Sequence, residues 1–168
     1  VPAAASILHA IEVPASGGDT LFCNMTAAYE ALSDVLKDML APLRAVNDFA
    51  QTAANQFANP IVVEDDLKGS NRAAHPVVRT HGETGRKSLF VNPGTTTHLE
   101  NFHPGESAAL LDMLFRHATK PDFCIRHSYS QGDVVMWDNR SLMHYAVDDY
   151  EDQPRYMERT TGIGETPV

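Results

Sequence analysis

The sequence predicts a mainly β protein, a β-sandwich or jelly roll with helices packed outside it, and three observations carry that expectation. Many short apolar stretches rich in β-branched residues are separated by Gly, Pro and Asp turn formers. Only two stretches hold a helical period. The alternating strand and helix rhythm of a doubly wound sheet is absent, as is any internal repeat. A length of 168 residues with 43% hydrophobic content suits one globular core, so residues 1–168 are expected to form a single domain.

The elements follow in order. Ser6 to Val13 alternates loosely and is β-branched, Pro14 to Asp19 is a run of turn formers, and Thr20 to Cys23 reads as a second strand. Thr26 is a candidate N-cap for a helix over Ala27 to Leu40, where Ala28, Leu32, Val35, Leu36, Met39 and Leu40 recur at helical spacing. Leu43 to Phe49 reads as a strand. Residues 51–74 are polar, Asn-rich and acidic at Glu64-Asp65-Asp66, without a sustained period, and read as a mobile loop or lid. Pro76 to Thr80 and Ser88 to Val91 flank the turn-like His81-Gly-Glu-Thr-Gly85 as a hairpin. Glu106 to His117 is the second helix, ended by Pro121. Strands are then expected at Phe123 to Tyr129, Val134 to Trp137, near His144, and at Arg155 to Ile163.

Composition excludes several classes of function. The net charge is −9 and the basic residues are scattered, which argues against a nucleic-acid groove or an anionic membrane surface as partner. Cys23 and Cys124 are far apart in sequence and in no CxxC pattern, suggesting neither a disulfide framework nor a zinc-thiolate site. No apolar run approaches the roughly 20 residues of a membrane span, and no charged segment precedes an apolar one as in a signal peptide. A cytoplasmic location is the expectation. The chain opens on Val1-Pro2 and runs at once into an apolar stretch, which reads as a start inside a fold.

The chemistry concentrates near the end, in Gly132-Asp-Val-Val-Met-Trp-Asp-Asn-Arg-Ser-Leu-Met-His144 and Arg155-Tyr-Met-Glu-Arg159. In an extended strand Arg155, Met157 and Arg159 share a face. On an inward face, two guanidinium groups would call for an anionic ligand held by bidentate hydrogen bonds. On an outward face they would pair with Glu158, Asp148, Asp149 or Asp152. Spacing leaves both open. A single His such as His144 is more often packed than ligating.

Taken in order, several markers make the sequence resemble the taurine dioxygenase (TauD/TfdA) family of Fe(II)- and 2-oxoglutarate-dependent oxygenases. They are Gly17-Gly-Asp-Thr20 leading into Asn24-Met-Thr-Ala-Ala-Tyr-Glu-Ala-Leu32, His75-Pro-Val-Val-Arg-Thr80, Gly85-Arg-Lys-Ser-Leu-Phe-Val91, Trp137-Asp-Asn-Arg140, His144 and the two arginines. The resemblance implies a double-stranded β-helix (jelly roll), incomplete at its N-terminal side. It makes His144 the distal histidine of a two-His-one-carboxylate iron triad, a set that leaves positions for co-substrate and dioxygen. Arg155 then matches the arginine that grips the far carboxylate of 2-oxoglutarate, with Thr20 assisting. Arg159 matches the arginine that approaches the anionic end of a sulfonate substrate. The implied reaction decarboxylates 2-oxoglutarate to succinate and CO2 and hydroxylates a substrate C–H bond, with collapse to sulfite or sulfate for sulfonates and sulfate esters.

The family's proximal His-x-Asp is absent from these residues. The resemblance, with the expected metal geometry, implies that it lies within about ten residues before Val1. His81-Gly-Glu83 and His98-Leu-Glu100 have the right residue types but fall after the Gly-Gly-Asp-Thr turn, in a hairpin turn and beside a loop. As aligned to the family, Ala53 and Thr95 replace two Phe that cover taurine, implying a roomier pocket for a sulfonate, alkyl sulfate or aryloxyalkanoate. Residues 51–74 would help set that choice. The resemblance leaves a homo-oligomer open. The contrasting expectation is a non-catalytic module that binds a small anion through Arg155 and Arg159 without metal.

Overall fold

A computed structural model describes residues 1–48 and 72–168. The strands are β1 (Ala5–Glu12), β2 (Thr20–Asn24), β3 (Arg44–Asp48), β4 (Arg72–Pro76), β5 (Val78–Thr80), β6 (Lys87–Leu89), β7 (Thr96–Leu99), β8 (Cys124–His127), β9 (Val134–Asp138), β10 (Leu142–Ala146) and β11 (Tyr156–Thr161). Antiparallel sheets run in the orders β11-β1-β9, β10-β2-β8 and β4-β3-β7, with β5 and β6 as a hairpin. Strands β1 and β2, then β8 through β11, alternate between the first two sheets. That interleaving defines the jelly roll, as the sequence led one to expect.

Alternation fixes which side chains face which layer. Directly opposed residues in an antiparallel pair share a face. Ser6 opposes Trp137 and Thr161, and Leu8 opposes Val135 and Arg159, so these line one face of β11-β1-β9. In the second sheet Phe22 opposes His144 and Ile125, while Cys23 opposes Met143 and Cys124 on the other face. Cys23 and Met143 join the buried core with Met25, Ala28, Leu40, Leu89, Leu99, Leu111 and Leu114. Burying each of the larger aliphatic side chains contributes about 1.5–3 kcal/mol. The two sheets therefore keep one faced interior, and the helices cover the side opposite His144.

The single helix expected from Ala27 to Leu40 is two. Helix α1 (Met25–Glu30) is capped by Asn24, whose Oδ1 accepts from Ala27 N at 2.9 Å, so Thr26 lies inside the helix and is not its cap. Helix α2 (Asp34–Leu40) is capped by Ser33, whose Oγ accepts from Leu36 N at 3.3 Å. A serine that can satisfy an orphan amide, followed by Asp34 in the first turn, offers the backbone a new helix start in preference to a continuous one. Ala28, Leu32 and Leu40 are buried, but Val35 and Met39 of the expected apolar face are exposed.

Helix α3 (Pro104–Ala118) matches its expected span closely. Pro104 begins it, Glu106 Oε2 accepts from His103 N at 3.0 Å, and Leu111 and Leu114 fill the core. Of the expected loop 51–74, residues 51–71 lie outside the described residues. Residues Arg72 to Ala74 are not loop: they belong to β4, paired with Val46 to Asp48. His98, expected beside a loop, lies in β7 opposite Val46. The polar run Thr95-Thr-Thr-His98 hid that strand from a hydrophobicity-based reading.

Candidate functional site

The Gly-Gly-Asp-Thr turn between β1 and β2 is built around left-handed backbone. Gly17 and Gly18 have φ of 81° and 69°. A Cβ on Gly17 would come within 2.5 Å of Asp149 O, and one on Gly18 within 3.0 Å of Arg155 Cδ. The turn is held from below by charge. Asp149 Oδ1 accepts from Gly18 N (2.8 Å) and Oδ2 from Arg126 Nη2 (2.6 Å), while Arg126 Nε donates to Asp19 Oδ2 (2.5 Å). The hydrogen bond from Arg126, aided by that from Gly18, holds the Asp149 carboxyl below its usual range.

Arg155 closes this cage. Its Nε donates to Gly18 O at 3.0 Å, and the rings of Tyr129 and Tyr150 lie 5.9 and 5.8 Å from its guanidinium carbon. Among the described residues no carboxylate pairs with it, which leaves the two terminal nitrogens for a ligand. Tyr129 OH donates to Thr20 Oγ1 at 2.9 Å, so the buried Thr20 hydroxyl keeps its own proton for another acceptor. His127, opposite Thr20 on β8, has a buried Nε2 with no partner. A forked cation, a free hydroxyl proton and an orphaned imidazole nitrogen suit a small carboxylate such as 2-oxoglutarate.

Of the three residues expected to share a face, Met157 and Arg159 do so, opposite Ala10 and Leu8. Arg155 lies one residue before β11; the irregularity there inserts Ile11 in β1 and no residue in β11, and the Arg155 side chain reaches the glycine turn. The outward alternative fails in its stated form, because Asp149 is engaged by Arg126 and neither arginine makes an ion pair with Glu158, Asp148 or Asp152 among the described residues.

His144 faces the interior from β10. Its ring packs 4.8 Å from Trp137 and 6.4 Å from Phe22, which are themselves 5.3 Å apart. Trp137 Nε1 donates to Asn139 Oδ1 (2.8 Å) and Asn139 Nδ2 to Ser6 Oγ (2.9 Å), fixing the indole wall. Burial, and then the charge of Arg159, lowers the His144 pKa, so the imidazole is neutral at pH 7, the form a metal requires. Among the described residues no three His, Cys, Asp or Glu cluster to hold a metal. An inward, neutral imidazole is chemically suited to iron, and no cluster of three candidate ligands includes it among the described residues.

The histidine lookalikes are accounted for otherwise. His81 Nδ1 accepts from Glu83 N and Thr84 N (3.3 Å each), so its Nε2 carries the proton and donates to Asp138 Oδ2 at 2.9 Å. Both nitrogens are spent. His98 Nδ1 lies 2.9 Å from Thr97 Oγ1 on β7. Of the two pocket substitutions, Ala53 lies outside the described residues, and Thr95 Oγ1 donates to Asn47 Oδ1 at 3.3 Å.

Two cavities flank β2. One of about 300 Å³ is lined by Phe22, Ile125, His127, Val135, Trp137 and Leu142, the interior side chains. The larger, about 490 Å³, reaches His144 at its edge but is lined chiefly by Leu21, Cys23, Cys124, Met143, Tyr145 and the Asn92–Gly94 loop, on the opposite face. Size does not locate the chemistry here; the polar groups converge on the interior side. Sequence reading missed Tyr129, Tyr150, Arg126 and His127, which no local motif flags, and named Asp149 only as a partner for Arg155 or Arg159, where it holds Arg126 and Gly18 N.

These features define a jelly roll with an arginine and a hydroxyl at its glycine turn and an inward histidine on β10. Residues 1–161 match the model of the taurine catabolism dioxygenase TauD, TfdA family, and the chain belongs to that family. It is 36% identical over 170 residues to an alpha-ketoglutarate-dependent sulfate ester dioxygenase of Pseudomonas putida, covering 98% of this chain and 56% of that protein. It is 41% identical over 139 residues to an alpha-ketoglutarate-dependent 2,4-dichlorophenoxyacetate dioxygenase of Cupriavidus pinatubonensis, covering 83% and 48%. A crystal structure of a taurine dioxygenase from Burkholderia xenovorans superposes with a TM-score of 0.85 at 37% identity, covering 99% of this chain and 54% of that one. The chain thus spans about half the length of the proteins it matches.

Proposed function

We propose that the whole protein is an Fe(II)- and 2-oxoglutarate-dependent dioxygenase that hydroxylates a small anionic organic substrate, a taurine-like sulfonate or an alkyl sulfate, releasing sulfite or sulfate. The observation that carries this reading is the Arg155 cage, a guanidinium fixed through Gly18 O with its terminal nitrogens unspent beside the Thr20 hydroxyl. Arg155 and Thr20 hold the far carboxylate of 2-oxoglutarate, His144 supplies one iron ligand, and Arg159 attracts the substrate anion. Bound Fe(II) and 2-oxoglutarate supply the oxidising chemistry with dioxygen. The protein's residues position two anions in order and wall the site with Trp137 and Phe22, which keeps water from it. Two further iron ligands, the family's His-x-Asp pair, belong to the part of the protein outside these 168 residues. A reducing cytoplasm, which keeps iron as Fe(II), is the matching location.

Likeness to the 2,4-dichlorophenoxyacetate enzyme favours a second reading, hydroxylation of an aryloxyalkanoate or other carboxylate. Anaerobic titration of the whole protein with Fe(II) and 2-oxoglutarate, followed by a substrate panel, tests both. A weak visible charge-transfer band, then succinate with sulfite or sulfate release, is the expected result. Succinate and phenol release from aryloxyalkanoates alone selects the second reading. Carboxylate binding with no dependence on iron would leave only an anion-binding module.

A further inference from the structure

Two cysteines 101 positions apart in sequence, and unremarkable there, become direct neighbours in the sheet. Cys23 at the centre strand β2 opposes Cys124 on the edge strand β8. Directly opposed residues of an antiparallel pair have Cα atoms about 4.5–5.5 Å apart and side chains on one face. A disulfide accepts Cα separations of about 4.4–6.8 Å. Both residues are free thiols, Cys23 buried and Cys124 partly exposed, and both border the cavity of about 490 Å³ on the face away from His144. Met143 completes the row across the sheet, opposite Cys23.

We infer that Cys23 and Cys124 form a redox-responsive dithiol, which low-molecular-weight disulfides convert into a cross-strand disulfide joining β2 to β8. The alternative role, two small side chains filling a core, does not require that both cysteines be directly opposed and border one cavity. Burial, with the hydrogen bond and charge of Cys124, pushes the Cys23 thiol up to about 12, so Cys23 stays protonated at neutral pH. Cys124, partly exposed where Cys23 is buried, is the sulfur that an incoming disulfide reaches first.

The steps balance as thiol–disulfide exchange. The Cys124 thiolate attacks one sulfur of oxidised glutathione, forming a mixed disulfide and expelling one glutathione thiolate. Cys23 then gives its proton to a thiolate or solvent base and attacks the Cys124 sulfur, expelling the second glutathione thiolate. Two protein thiols become one disulfide, and oxidised glutathione becomes two glutathione thiols. The bridge ties the edge strand to the strand that carries Thr20 and Phe22, so it stiffens the wall of the proposed site without touching its interior face.

The test uses the whole protein, fully reduced and then equilibrated in buffers of rising oxidised-to-reduced glutathione ratio, with intact mass and disulfide peptide mapping as readouts. The expected product is a monomer lighter by two hydrogens, with a Cys23–Cys124 linked peptide that dithiothreitol reverses. Cys23→Ser should instead stop as a glutathione adduct on Cys124, and Cys124→Ser should leave Cys23 unmodified. The inference is overturned if the unsubstituted protein keeps both thiols, halts at a stable glutathione adduct, or links between chains. None of these readouts depends on iron, 2-oxoglutarate or turnover, so the dithiol and the proposed activity stand or fall separately.

Discussion

Asp138→Asn should destabilise the protein far more than its near-identical shape suggests. Asp138 Oδ1 accepts from Arg140 N (2.8 Å) and Arg140 Nε (2.9 Å), and Oδ2 accepts from Arg140 Nη2 (2.8 Å) and His81 Nε2 (2.9 Å). Because both backbone amides at the Glu83–Thr84 turn donate to His81 Nδ1, the ring cannot change tautomer to accept at Nε2. An Asn can keep one oxygen on Arg140, but its amide nitrogen then meets two donors. Losing two charge-assisted hydrogen bonds, at about 1.5–3 kcal/mol each, sets an upper figure near 6 kcal/mol. The Asp138 side chain is 31% exposed, which lets water compensate, so about 2–3 kcal/mol is expected. Urea unfolding of the whole protein measures it, and a loss under about 1 kcal/mol would refute the argument from donor conflict.

The same carboxylate gives a pH signature. Burial pushes the Asp138 carboxyl up, but the hydrogen bonds from Arg140 and His81 outweigh it and hold the group well below the usual carboxylate range. A depressed folded pKa contributes stability that is present above the unfolded value of about 3.9 and is lost as pH falls below it. The stability gap between the unsubstituted protein and Asp138→Asn should therefore stay level from neutral pH to about pH 5 and shrink below about pH 4. A gap that stays level down to about pH 3 would refute the assignment to this carboxylate.

Arg155→Ala removes the forked donor of the cage and should weaken 2-oxoglutarate binding by about two to three orders of magnitude, the usual consequence of losing 2–5 kcal/mol from a charged clamp. Calorimetric titration with metal present checks this, and near-normal affinity would sink the assignment of Arg155. Tyr129→Phe leaves the fold intact but frees the Thr20 hydroxyl to rotate; 2-oxoglutarate affinity should fall by about threefold to tenfold, in line with one neutral hydrogen bond of about 1 kcal/mol. Gly17→Ala forces a Cβ toward Asp149 O in left-handed backbone and should cost about 2–3 kcal/mol, read as a lowered unfolding midpoint.

What the sequence revealed, and what it hid, divides along the range of the interactions. Strands β1, β2 and β9 and helix α3 were legible because their periods and turn residues are local. The break between α1 and α2 was hidden because Ser33 sits within an unbroken apolar period, and only the preference of its hydroxyl for a cap decides the matter. The shared face of Met157 and Arg159 was legible from strand period, but what Arg155 meets was not, because its partner comes from the turn between β1 and β2. Its side chain reaches Gly18 O across a turn whose two glycines leave room. The geometry of the cage thus rests on that turn and on Asp149 and Arg126, residues far apart in sequence whose partnership only the closed sandwich creates.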